Sequence, residues 1–187
     1  MKVSAVLLAG GESRRIGRDK ATLEWRGRLL WQWQIEKLRA VGPGNILLSA
    51  RSDVSWRPAD IKLVLDVSPS RGPLSGLAAA LAATDGDHLL TLAVDMPFMP
   101  AEHLRTLCDR ATNETGVVPM IDGKAEPLCA VYPKVAERLF QEALHGDDFS
   151  LQPIVRKLIN RNLLRVMPVS MPSRGFYRSI NDPRDLE

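Results

Sequence analysis

The chain has 187 residues, 45% of them apolar and 25% charged, with a net charge of +3. That length suits one domain, residues 1–187, with a core large enough to need no staples. The slight positive charge comes without zinc-finger spacing or a basic patch interleaved with aromatics, which excludes a case for nucleic acid and fits small anionic substrates.

The apolar run Val3–Leu8 reads as a buried strand and breaks at Ala9-Gly10-Gly11, where missing side chains let a ligand approach the backbone. Arg14, Arg15, Arg18 and Lys20 follow on a short loop. Lys20 to Leu30 is a connector with a turn around Gly27, and helical spacing of Leu30, Trp31, Ile35, Leu38 and Val41 predicts a helix ended by Gly42-Pro43-Gly44. Trp31 and Trp33 read as packing residues. Strands are expected at 46–50, at 61–65 ending on Asp66, and at 88–94 ending on Asp95. Between the last two lie the loop Gly72-Pro73-Leu74-Ser75-Gly76 and an Ala-rich helix over 77–83. Pro97 cannot continue a ladder, and 102–110 is the next helix.

Alternating strands and helices point to parallel βαβ units in an α/β fold, a mostly parallel sheet with helices on both faces. A β-hairpin interrupts the alternation: a strand at 116–120, a turn at Asp122-Gly123 and a return over 127–132. Helices over 135–144 and 151–159, a last strand at 163–169 and a broken polar segment over 170–177 complete the chain. No run reaches the length of a membrane span, no signal peptide is visible, and Cys108 and Cys129 lack a C-x-x-C spacing. A reducing, cytoplasmic setting is the expectation.

In a doubly wound sheet, ligands sit outside the carboxyl ends of the strands. The positions just past them are Ala9 to Gly11, Ser49, Asp66 and Asp95. A Gly turn with cations is a phosphate-holding device, because backbone N–H groups face the anion. It is not a P-loop, since five residues separate Gly11 from Gly17, and it is not a dinucleotide fingerprint. Asp95, ending an apolar strand before Met-Pro, is the candidate Mg²⁺ ligand, since Mg²⁺ takes one or two carboxylates plus phosphate oxygens and water. Asp66 alone is an ordinary turn former. His88, His103 and His145 show no metal-ligand spacing and are read as surface or helix residues; no serine sits in a nucleophile elbow. Arg156, Lys157, Arg161, Arg165, Arg174 and Arg178 form either a solvated face or a receiver for an anionic acceptor.

The stretch Leu8 to Lys20, L-A-G-G-x-S-x-R-x-G-x-D-K, resembles the signature of the MobA-like nucleotidyltransferases, with Ile16 in place of the usual Met. The resemblance extends through Asp66, G-P-L-x-G at Gly72–Gly76, Asp95-x-Pro97, Glu126-Pro127 and Asn181-x-Pro183. It implies a Rossmann-like, three-layer α/β/α nucleotidyltransferase fold. It also implies Mg²⁺-dependent transfer of GMP from GTP to the phosphate of molybdopterin. On this pattern Arg15, Lys20 and Asp95 are catalytic, and Asp95 holds the metal. Leu8, Ala9, Gly10, Gly11, Gly17, Lys20, Ser49, Asp66, Gly76 and Asp95 bind GTP, and Asn181 borders the acceptor. Transient contacts with cofactor-biosynthesis or molybdoenzyme-chaperone proteins go with that role. Ser49 stands where the guanylyl branch has Asn, and the tail lacks the first Asn and the Thr of N-x-N-T-P. Transfer from CTP, a different phosphorylated acceptor, and a non-catalytic nucleotide-binding domain remain the alternatives.

Overall fold

The computed structural model of the chain describes residues 1–10, 19–180 and 185. Strand β1 (Val3–Leu8) is followed by a 3₁₀ turn over Lys20–Thr22 and a small hairpin, β2 (Glu24–Trp25) and β3 (Arg28–Leu29). Positive φ at Arg26 (50°) and Gly27 (75°) makes its tight two-residue turn. Helix α1 (Leu30–Val41) ends on Gly42 in the left-handed region. Then come β4 (Ile46–Ala50), β5 (Lys62–Leu65), α2 (Pro73–Ala83), β6 (His88–Ala93) and α3 (Ala101–Arg110). The second half holds β7 (Gly116–Ile121), β8 (Lys124–Ala125), β9 (Val131–Pro133), α4 (Glu137–Leu144), α5 (Leu151–Asn160) and β10 (Leu164–Pro168). A 3₁₀ segment over Met171–Tyr177 precedes the tail.

The main sheet runs β10-β7-β9-β6-β1-β4-β5, with β8 hydrogen-bonded to β7. β1 pairs in parallel with both β4 and β6, β4 with β5, and β7 with β10. Only β9 and β8 run antiparallel to their neighbours. The mostly parallel sheet therefore stands, and so does the hairpin turn, at Asp122 (φ 48°) and Gly123 (φ 77°).

The return strand is not one strand over 127–132. It splits into β8 and β9, because Cys129 N–H closes a turn onto Glu126 O just after the Glu126 N–H has carried the β7–β8 ladder one rung further, to Pro119 O. β9 then inserts between β7 and β6 and joins the two halves of the sheet.

Side chains leave β1 alternately. Val6 joins Leu47, Val64 and Leu89 beneath α2, α4 and α5, while Ala5 and Leu7 join Leu48, Leu90 and Leu92 beneath α1 and α3. All six residues of β6 are buried, as in a central strand covered on both faces. Each of its leucines contributes about 1.5–3 kcal/mol by leaving water. β6 includes His88, which is wholly buried rather than on the surface. Its position in the central strand overrides its polarity.

The Ala-rich helix starts at Pro73, not at 77, because Pro suits the first helical position and Gly72 takes φ 65° before it. Gly76 thus lies in the first turn of α2. Trp31 stacks on Trp56 at 5.4 Å, and Trp33 meets Trp25 edge-on at 5.6 Å. Cys129 is fully buried and Cys108 partly so; burial pushes both thiols up, Cys108 to about 11. No helix among the described residues is long and apolar enough to cross a membrane.

Candidate active site

The chain runs from β1 outward through β4 to β5, then crosses back to β6 on the other side of β1. The order reverses between β1 and β6, so a crevice opens at their carboxyl ends. There Val94 N–H donates to Leu8 O at 3.0 Å and holds the two strand ends together.

One cavity sits over this point. Leu8, Ala9, Gly10, Lys20, Ser49, Asp66, Gly76 and Asp95, eight of the residues expected from sequence, all line it. Gly11, Arg15, Gly17 and Asn181 lie outside the described residues.

Lys20 reaches the cavity from its 3₁₀ turn. Asp19 caps that turn, accepting from Ala21 N–H at 2.9 Å, and its other carboxylate oxygen takes the indole N–H of Trp56 at 2.9 Å. Ala21 is buried, which fixes the turn to the core. From there Lys20 Nζ meets Asp95 Oδ2 at 2.9 Å, with the side chains 18% and 21% exposed.

Asp95 is held from three directions. Its carbonyl accepts from Ile180 N–H at 2.8 Å, which brings the C-terminal segment to the site. Buried Gln34, from α1, donates its amide N–H to Ala93 O at 2.9 Å and Met96 O at 3.0 Å, on either side of the aspartate. Lys37, one turn on, donates to Gln34 Oε1 at 2.9 Å and to Pro97 O at 2.5 Å. Burial lowers the Lys37 pKa to about 8. This clamp was not visible in the sequence. A Gln inside an amphipathic helix carries no signal that its partners lie about sixty residues away.

The opposite wall is a hydroxyl–carboxylate pair. Ser49 Oγ donates to Asp66 Oδ1 at 2.7 Å. Ser49 lies inside β4 and is 1% exposed, rather than just past the strand as expected. Burial pushes the Asp66 carboxyl above its ordinary range, and the Ser49 hydrogen bond and the charge of Arg51 oppose that.

Two glycines make room for the pair. A Cβ at Gly10 would lie 2.4 Å from Asp66 Oδ2, and one at Gly76 would lie 2.5 Å from Ser49 Oγ. Gly72 and Pro73, at the amino end of α2, and Leu128, from the segment between β8 and β9, also line the cavity. Leu128 had no sequence signal; Ala93 N–H donates to its carbonyl at 3.0 Å across the sheet.

Ala9 differs from expectation. Its N–H is spent on Ser49 O at 2.9 Å, extending the sheet, so it is not offered to a ligand. Among the described residues no cluster of three or more His, Cys, Asp or Glu forms a ready-made metal cage. Asp95 and, on the opposite wall, Asp66 are the carboxylates lining the cavity. That donor set suits Mg²⁺, which keeps waters and takes phosphate oxygens from its substrate.

A doubly wound sheet with a lysine and an aspartate converging at its switch point, beside the amino end of a Gly-rich helix turn, has the parts of a nucleotidyltransferase site. The profile described as the MobA-like NTP transferase domain matches residues 5–163. The molybdenum cofactor guanylyltransferase of Cereibacter sphaeroides is 40% identical, aligned over 100% of this chain and 94% of its own. The probable molybdenum cofactor guanylyltransferase of Opitutus terrae is 35% identical, over 99% and 93%. Among solved structures, the molybdopterin-guanine dinucleotide biosynthesis protein A of Archaeoglobus fulgidus superposes with a TM-score of 0.73 at 26% identity, covering 98% of this chain and 94% of that one. The chain belongs to the MobA-like NTP transferase family and is a nucleotidyltransferase.

Proposed function

We propose that this chain, as one catalytic domain, transfers GMP from GTP to the terminal phosphate of molybdopterin and releases pyrophosphate. The observation that carries the reading is the 2.9 Å pair of Lys20 and Asp95 at the mouth of the β1–β6 crevice. The names of its relatives supply the substrates.

An oxygen of the acceptor phosphate attacks the α-phosphorus of GTP in line, and the bond from that phosphorus to the pyrophosphate oxygen breaks. No covalent enzyme intermediate is needed, so the protein's task is positioning and charge neutralisation. Lys20, with Arg15, takes up the charge that develops on the α-phosphate and on pyrophosphate. Asp95 would hold Mg²⁺, which when bound neutralises phosphate oxygens and aligns them. The amino end of α2 turns its positive dipole end toward the nucleotide. Asp66, aimed by Ser49, accepts hydrogen bonds from the base or ribose. Asn181 is assigned to the acceptor side by the resemblance of its Asn-x-Pro segment to the family pattern. The setting is cytoplasmic, and contacts with cofactor-biosynthesis or molybdoenzyme-chaperone proteins are transient.

Ser49 is turned into Asp66 in the place where an Asn would offer both a donor and an acceptor. Base choice is therefore tested directly. Pyrophosphate release is measured with molybdopterin, Mg²⁺ and either GTP or CTP. GTP should be used at least ~10-fold better, a difference within the range that hydrogen-bonding discrimination supplies. Preferred use of CTP replaces the guanylyl assignment, and no transfer from either nucleotide overturns the reading.

A further inference from the structure

Beside the nucleotide cleft lies a second concavity, of about 580 Å³, which none of the roles above uses. It opens between the β2–β3 hairpin, α1, the turn after Asp95 and the C-terminal segment. Its rings are Trp25, Trp33, Phe98 and Phe176, and its exposed cations are Arg26 and Arg178; no described residue lining it is acidic.

The rings do not stack on one another. Trp25 meets Trp33 at 61° and Phe98 at 78°, with centroids 5.6 and 5.4 Å apart. Arg26 lies over the Trp25 ring at 4.6 Å and Arg178 over Phe98 at 4.3 Å. Arg26 makes no ion pair among the described residues. The recorded hydrogen bond of Arg178 goes to a neutral acceptor, the Asp185 carbonyl, at 2.6 Å. A guanidinium over a ring keeps its edge N–H groups for an anion. Packing of a hairpin on a helix accounts for rings meeting edge-on. It does not account for two arginines gathered on those rings with no carboxylate among the described lining residues.

The groove also has a direction. Pro97, in its wall, is two residues past Asp95. Arg178 is two residues before Ile180, whose N–H bonds Asp95 O at 2.8 Å. Both lips therefore lead back to the reacting centre over two residues, no more than about 8 Å of chain on either side.

We infer that this groove binds the planar heterocycle of the acceptor, a pterin-type fused ring with an anionic arm. The ring lies against Trp25, Trp33 and Phe98, Arg26 and Arg178 answer the negative charge, and the phosphate end extends to Asp95. The inference rests on the proposed transfer to a pterin phosphate and adds where the pterin sits.

The test uses neopterin monophosphate as probe and isothermal titration calorimetry on the full chain, with GTP titrated separately. Trp25→Leu should weaken the probe by about 10-fold or more, the scale of a lost base–aromatic stack. Arg178→Gln, at an exposed position whose loss leaves the fold intact, should weaken it about 3-fold to 10-fold. GTP affinity should stay within about 2-fold in both, since neither side chain lines the nucleotide cleft. Unchanged probe binding in both variants overturns the groove. So does competition between probe and GTP in the wild-type protein, which would place the pterin in the nucleotide cleft. If the wild-type protein binds the probe through these residues but does not use GTP, the nucleotide reading falls and the groove stands.

Discussion

Lys20 and Asp95 stand 75 positions apart in the chain and 2.9 Å apart in space. Each is delivered by a rigid device: a capped 3₁₀ turn anchored through Ala21, and a strand-end turn clamped by Gln34, Lys37 and Ile180. Under the proposed transfer, this partly buried pair of opposite charges exchanges its partners for a phosphate and its counter-ion. Lys20→Ala and Asp95→Ala should each lower turnover at least ~100-fold, the usual cost of removing a charge stabiliser. Pyrophosphate release measures this, and near-normal turnover in either variant refutes the assigned role.

Gly76 and Gly10 face the two ends of the Ser49–Asp66 pair. In Gly76→Ala the new methyl carbon meets Ser49 Oγ at 2.5 Å, and Asp66 Oδ1 is only 3.1 Å away. Both oxygens belong to a hydrogen bond within the core wall, so neither yields cheaply. The variant should lose about 1–3 kcal/mol, as overpacking does. It should also bind GTP less tightly. Adding Ser49→Ala, which removes the clashing oxygen, should restore part of the melting temperature but not the nucleotide affinity. If the single variant melts like the wild type, the close approach is wrong.

Asp66 is costly to keep charged. Its folded-state pKa lies above the ordinary 3.8 because burial disfavours the anion. Between the two values the folded state holds the extra proton. This contribution to stability is present below 3.8 and is lost as pH rises through the folded value. Asp66→Asn keeps an acceptor for Ser49 without the charge, so it should raise the melting temperature at pH 7, by an amount that shrinks toward pH 4. Nucleotide affinity should fall in the same variant. Thermal melts across that range and a GTP titration check both halves.

His88 has the opposite sign. Burial in β6 lowers its folded-state pKa below 6.5, with a backbone group of Thr115 and the charge of Asp87 opposing the shift. Between those values the unfolded chain holds the extra proton, so stability falls as pH drops from 6.5 toward the folded value. Urea midpoints at pH 7 and at about pH 5 should differ less in His88→Leu than in the wild type, because the substituted chain has no proton to take up there. An equal drop in both would assign the acid sensitivity to other groups.

Much of the fold could be read from the sequence because periodicity records local burial. β1 and β4 have the expected bounds, and α1 stops at Gly42 as expected, each on a regular apolar pattern. The site was legible where a strand end coincided with a charged or Gly residue, as at Gly10, Asp66 and Asp95. The failures lie where hydrogen bonding and position in the sheet, and not the local apolar pattern, decide the outcome. The pattern over 127–132 suits a strand but cannot tell that Cys129 closes a turn onto Glu126 and divides β9 from β8. His88 looks polar in sequence, and only its place in the middle of the sheet buries it. Gln34 shows an ordinary helical residue, while its value lies in carbonyls about sixty residues downstream.

The hydrogen bond from Ile180 to Asp95 has a consequence for the order of assembly. Among the described residues every strand lies before residue 170, so a growing polypeptide can complete that sheet while the Asp95 turn still lacks one of its three restraints. One restraint on the Asp95 turn thereby comes from a segment downstream of the sheet and not from the sheet itself. A chain stopped early should resemble the finished protein in circular dichroism and differ from it in turnover.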